Sequence, residues 1–172
     1  VLHLLDANIL ITAHNTYYPI ERVPEYWEWI LYYAINGYIK MPLEMIEEVA
    51  AGNKKEDKLV EWLSIPEHRT ALCLDAVANS STVQYVIDNG YNYETHEPFT
   101  DEQLERLGRD PFLIAYALDL KCAVVTNESR TGKKRYNQKI PDVCTVLGIH
   151  WCNTFELNRY FNFSTSWKRF LC

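Results

Sequence analysis

The run Leu4-Leu5-Asp6-Ala7-Asn8-Ile9-Leu10 constrains the fold more than any other stretch, because a fully apolar segment stops at a carboxylate and then resumes with a helical look. Residues 2–5 read as a buried strand, and Asp6 or Asn8 can open the helix that follows. The same grammar recurs. Residues 38–41 form a short strand candidate, after which Pro42 opens a helix that passes Glu48 and stops at Gly52. Asp110-Pro111 begins a clear helix, and residues 122–126 form the best strand in the chain, short and continuously apolar, as a buried parallel strand should be. Strands alternating with helices in this order predict an α/β domain: three α/β/α layers around a central, mainly parallel sheet.

Between these landmarks the pattern is read as follows. Pro19 to Pro24 is a break. The next helix carries Tyr26, Trp27, Ile30, Leu31 and Ala34 on one face, Trp29, Tyr32 and Tyr33 elsewhere, and ends at Asn36-Gly37. A helix so apolar all round is covered twice, either by another helix or by a second subunit, so a homodimer is one of two expectations. Residues 54–63 read as a helix, 71–74 as a strand, and Val83, Val86 and Ile87 as one face of a helix closed by Gly90. Thr100 with Gln103 reads as a capping box. In the helix after Asp110, Phe112, Leu113, Tyr116, Ala117 and Leu120 are expected to face inward. Residues 143–147 suggest a short helix that Asp142 could start, 149–152 a last strand, and 154–161 a terminal helix.

A length of 172 residues suits one domain, residues 1–172, that buries about 70% of its extended-chain surface. No apolar stretch approaches the ~20 residues of a membrane span, so no membrane is expected. The first apolar run is broken by His3 and Asp6 and has no basic leader, so it does not read as a signal peptide. Five widely spaced cysteines without a C-x-x-C pair suggest a reducing cytoplasm and buried small hydrophobes. Cys144, His150 and Cys152 match no familiar zinc spacing. No P-loop, dinucleotide-binding glycine pattern or G-x-S-x-G elbow is present. His14 reads as a packed or surface residue.

The acids remain. Asp6 and Asp110 could each serve as a helix cap, Glu48 could be a solvated helix residue, and Glu128 could lead a strand into a loop. Taken together they suggest one acidic rim at the strand ends, where open α/β sheets place ligands. Two carboxylates ~4 Å apart repel by roughly 4 kcal/mol at an effective dielectric near 20, so such a rim needs a counter-ion, and a hard divalent cation suits oxygen donors. The net charge of −6 argues against bulk nucleic-acid coating, yet Arg130, Lys133, Lys134, Arg135 and Lys139 form a basic loop directly after Glu128.

These residues resemble the PIN-domain family, in particular its branch associated with VapC-type toxins. The likeness rests on Leu4-Leu5-Asp6-Ala7-Asn8-Ile9-Leu10, Pro42 with Glu47-Glu48-Val49, Asp110-Pro111-Phe112-Leu113-Ile114-Ala115, and Val124-Val125-Thr126-Asn127-Glu128. It spans residues 2 to about 152. The resemblance implies a metal-dependent endoribonuclease using Mg²⁺ or Mn²⁺ and leaving a 5′-phosphate and a 3′-hydroxyl. Asp6, Glu48, Asp110 and Glu128 would be its catalytic, metal-binding acids, with Glu47 adjacent as an alternative to Glu48. Glu128 stands where family members commonly carry Asp. Asn8 and Thr126 would support substrate at the rim, and Lys133, Lys134 and Arg135 would hold RNA phosphates, with Tyr136 near an unpaired base. An antitoxin protein is the implied partner of such a toxin. Two other classes are compatible with the same residues: an inactive PIN-like module that binds RNA or protein, and a metal-dependent DNA nuclease or phosphohydrolase.

Overall fold

A computed structural model describes residues 1–52 and 57–171. Four short strands, β1 (His3–Leu5), β2 (Ile39–Lys40), β3 (Ala123–Val125) and β4 (Trp151–Cys152), form one sheet in the order β2-β1-β3-β4. Every pairing is parallel: His3 lies opposite Ile39 and Ala123, and Val125 opposite Leu5 and Cys152. The expected mainly parallel sheet is thus wholly parallel among the described residues. Strands buried on both sides must be continuously apolar, and Leu4, Leu5, Val124 and Val125 are fully buried.

Parallel strands need crossover connections, usually helical, because the chain must return to the same end of the sheet before each new strand. Helices α1 (Ala7–Thr12) and α2 (Pro24–Ile35) make the first crossover. The second runs through α3 (Leu43–Ala50), α4 (Lys58–Ser64), α5 (Pro66–Leu72), α6 (Ser80–Val86), α7 (Asp101–Leu107) and α8 (Asp110–Leu120). Then α9 (Ile140–Leu147) links β3 to β4, and α10 (Thr154–Tyr160) follows the sheet.

The aromatic helix α2 is covered from within the chain. Trp29 donates its indole N–H to the Phe161 carbonyl, while Phe161, Phe163 and Trp167 pack their rings against Trp29, Tyr33, Tyr26 and Tyr32. His3, on the strand beneath, stacks edgewise on Phe161. Of the two covers expected for this helix, the intramolecular one is present.

Local signals set several boundaries as read. Thr100 and Gln103 make the capping box that starts α7, and Gly148 takes the left-handed conformation that ends α9. Three readings change and one is left open. Residues 71–74 give the end of α5 and a single bridge, Met41 to Cys73, in place of a strand. Asp57 caps α4 at Lys58, and the expected start at residue 54 lies outside the described residues. Helix α9 begins at Ile140, three residues before the apolar run suggested, because Pro141 fits a first turn. In α8, Ile114 and Ala115 are buried while Leu120 is 44% exposed, since a helix packed against α3, α6, α9 and β3 has no single inward face. Cys122, Cys144 and Cys152 are buried free thiols and Cys73 is half-buried; Cys172 lies outside the described residues.

Candidate active site

The strand order turns at β1 and β3: the chain runs from β1 to one edge and later extends from β3 to the other. Open α/β sheets bind ligands outside the carboxyl ends of the strands at such a switch point. The first residues beyond those two ends are Asp6 and Thr126, held in register by Asp6 N–H donating to the Val125 carbonyl (2.9 Å) and Thr126 N–H to that of Cys152 (3.0 Å).

Asp6 is only 5% exposed and occupies the N-cap position of α1, yet its side chain makes no capping hydrogen bond. One carboxylate oxygen instead accepts from the fully buried Thr126 hydroxyl (2.7 Å) and from the Asn8 amide. The Asn8 amide also donates to Thr126 Oγ1 at 3.2 Å, and its Oδ1 accepts the Asn127 N–H at 3.0 Å. Asn127 in turn accepts from the backbone N–H and hydroxyl of Thr154, tying the floor to α10. Thr126 and Asn8, read from the sequence as substrate contacts, are placed as the residues that fix Asp6.

Asp110 lies in the first turn of α8, where Arg109 takes the N-cap position without a side-chain cap, and the Asp110 carboxylate has no hydrogen-bond or ion-pair partner among the described residues. Glu48 is exposed on α3 and likewise has no such partner among them. Its neighbour Glu47 is turned to Arg109 (3.2 Å), whose guanidinium also donates to the Glu44 carbonyl. The charge of Glu48 acts on Asp6 and Asp110. Glu128 is differently placed: one oxygen binds the Lys139 ammonium at 2.8 Å and the other accepts the Ile140 N–H at 3.0 Å. It adds negative charge to the site with both oxygens engaged.

Burial and mutual repulsion show in the acidities. Burial, then the charges of Glu128 and Glu48, push Asp6 up to about 6 against the pull of the Thr126 hydroxyl. Asp110 goes to about 8 through burial and the charges of Asp6, Glu128 and Glu48, with Lys139 opposing. The Lys139 ammonium thus answers Glu128 directly and Asp110 and Asp6 at longer range. The donor set is hard oxygen, which fits Mg²⁺ or Mn²⁺ in chemical type. Among the described residues, no three carboxylate, imidazole or thiol groups stand close enough to grip an ion as they are now placed.

The basic loop folds back on the molecule. Lys134 pairs with Glu94 at 2.7 Å, and Arg135 pairs with Glu97 at 3.0 Å while lying over the Phe99 ring. Of the three cations expected to meet phosphate, Lys133 alone has no ion-pair partner among the described residues. Asp142 shapes the loop: although burial opposes it, hydrogen bonds from Thr131, Lys139 and Gly132 hold its carboxyl below the usual range. A cleft of about 250 Å³ lies beside Asp110, lined also by Tyr91, Arg106, Lys133, Gln138 and Lys139. Sequence reasoning left out Tyr91, whose only signal was Gly90 before it, and gave Lys139 no role at the acids.

His14 is a packing residue, accepting the Ile20 N–H at 3.4 Å beside Trp27. No described helix is long and apolar enough to cross a membrane. No curated protein and no solved structure matches the chain. A family model described as a domain of unknown function, DUF4411, matches residues 3–165. Spanning nearly the whole parallel sheet and its helices, that match makes this chain a member of the DUF4411 family.

Proposed function

We propose that this protein is a PIN-like, metal-dependent endoribonuclease whose Mg²⁺ or Mn²⁺ is held by Asp6 and Asp110, with Glu48 as a third acid. One observation carries the reading: two carboxylates stand at helix starts by the switch point, and neither caps its helix or pairs with a cation. A buried carboxylate without a charge partner either keeps its proton, as the raised pKa values of Asp6 and Asp110 allow, or is matched to a cation from outside the chain, and the second is the reading adopted. The order of acidic motifs along the sequence supports the PIN likeness, and an all-parallel sheet with helices is compatible with it.

Each residue then has a task. Thr126 and Asn8 fix the Asp6 carboxylate in place through one of its oxygens. Lys139 neutralises Glu128 and limits the repulsion that Asp6 and Asp110 feel. Lys133, on the rim of the cleft beside Asp110, draws a phosphodiester toward an otherwise repulsive pocket. A bound divalent ion supplies the Lewis acidity that activates water at neutral pH and stabilises charge on the departing oxygen. No side-chain nucleophile is required. The toxin role and an antitoxin partner belong to the same proposal and rest on the PIN likeness alone.

The Lys139–Glu128 pair favours a second reading, a module that binds RNA or protein without cutting, because an internal ammonium already balances part of the acidic charge. One assay separates the readings. The chain, stripped with EDTA, is given Mn²⁺ or Mg²⁺ and offered single-stranded RNA, duplex DNA or a small phosphate ester. Cleavage of RNA alone, with metal only and with 5′-phosphate ends, is expected. Intact RNA that nevertheless binds would leave the module reading, and cleavage of DNA or the ester instead would overturn the choice of substrate.

A further inference from the structure

Tyr91 is 1% exposed, and its hydroxyl is buried without a hydrogen-bond partner. It is brought there by close packing. Gly90 closes the π-helical turn Ile87–Tyr91 against α9, where a Cβ would come within 2.6 Å of Val143 and 3.1 Å of Leu147. Gln138 then clamps the turn, donating its amide to the Tyr91 carbonyl at 2.8 Å. Tyr91 and Asp110 line the same cleft. Burial, then the charges of Asp110, Cys144, Glu128 and Asp6, hold the phenol well above its usual range, so it stays a donor. A buried donor with nothing to bind and a carboxylate with no donor share one small space. If packing alone mattered, phenylalanine would serve better, because an unsatisfied buried hydroxyl is destabilising.

We infer that Tyr91 is a positioning residue for Asp110, its hydroxyl donating to the Asp110 carboxylate in the cation-loaded site as Thr126 donates to Asp6. The inference rests on the metal-site reading above. Such outer hydrogen bonds orient ligating carboxylates and commonly account for 10–100-fold in metal affinity.

Tyr26 provides the control, since it too is fully buried with an unpartnered hydroxyl, but among the rings of Tyr18, Trp27, Trp29 and Phe163. Calorimetric titration with Mn²⁺ is compared for wild type, Tyr91→Phe and Tyr26→Phe, alongside melting of the cation-free proteins. Tyr91→Phe should bind Mn²⁺ about 10-fold more weakly, with cation-free melting unchanged or raised, and Tyr26→Phe should bind like wild type. Unchanged affinity in Tyr91→Phe, or an equal loss in Tyr26→Phe, would overturn the inference. Wild type failing to bind Mn²⁺ would instead overturn the metal-site reading on which it rests. Should Tyr91→Phe not fold, the ¹³C shift of the Tyr91 phenolic carbon in wild type reads the same bond. It should move on adding Mg²⁺, and a static signal would refute the assignment.

Discussion

The two ends of the sheet make opposite cavities. At the amino ends of the strands lies the larger, about 670 Å³, lined by His3, Cys122, Ala123, Ile149, Trp151 and other mainly apolar residues. At the carboxyl ends lies the cleft of about 250 Å³, walled by Asp110, Lys133, Lys139 and Tyr91. Volume favours the first and chemistry the second. The difference comes from the parallel arrangement itself: every strand delivers its following residue to the same edge, so Asp6 and Thr126 meet there, and the helices starting there bring Asp110. At the other edge the chain arrives from helix ends and turns such as Gly148, and brings mostly packing residues.

The comparison breaks first at the acids. Asp6→Asn and Asp110→Asn should each lower metal-dependent RNA cleavage on the order of 10³-fold, the scale of losing a principal charge partner in the transition state. His150→Ala, at the apolar end, should leave cleavage unchanged. Single-turnover cleavage of a labelled RNA measures both; a fully active Asp6 or Asp110 variant would remove the site, and a dead His150 variant would move it to the other end.

The next effect is on stability, and its sign opposes that on activity. A carboxyl whose folded pKa is raised binds its proton more tightly in the folded state, so its contribution is full below the ordinary value and is lost as pH rises through the folded one. For Asp110 that window runs from 3.8 to about 8, and for Asp6 from 3.8 to about 6. The cation-free protein should therefore lose stability from acidic to mildly alkaline pH. At pH 8 Asp110→Asn should exceed wild type by on the order of 5 kcal/mol, since each step of one in pKa is worth about 1.4 kcal/mol. Urea denaturation in EDTA at pH 5 and pH 8 tests this, and saturating Mn²⁺ should reverse the order by favouring the folded wild type. A variant less stable than wild type at pH 8 would mean that Asp110 has a partner holding it in place.

The smallest effect concerns the loop. Neutralising Lys133, Lys134 and Arg135 together should weaken RNA binding, but Lys134 and Arg135 are already paired with Glu94 and Glu97. The salt slope should therefore flatten by about 0.7, the share of one single-strand phosphate contact, where three free cations would give about three times that. Fluorescence anisotropy across a salt series distinguishes the two. An unchanged slope would take even Lys133 out of the substrate path.

Much of the frame could be read directly. Short apolar runs marked β1 and β3, Pro24 and Pro111 sit in the first turns of their helices, and Thr100 with Gln103 marked the start of α7, because local propensity and capping act over a few residues. Residues 71–74 misled for the complementary reason. Apolar content gives burial, and only pairing at the sheet edge decides between a strand and the single Met41–Cys73 bridge.

The acids divide along the same line. Composition and spacing determined that Asp6, Glu48, Asp110 and Glu128 each follow or open an apolar element, and that a basic loop comes next. Folding alone decided which are free. It spent Glu128 on Lys139 and Glu47 on Arg109, left Asp110 unpaired, and slid Tyr91 beneath the site through a contact only Gly90 permits. Pairing is settled by distances of a few ångströms between residues tens of positions apart, a scale at which sequence order carries no information.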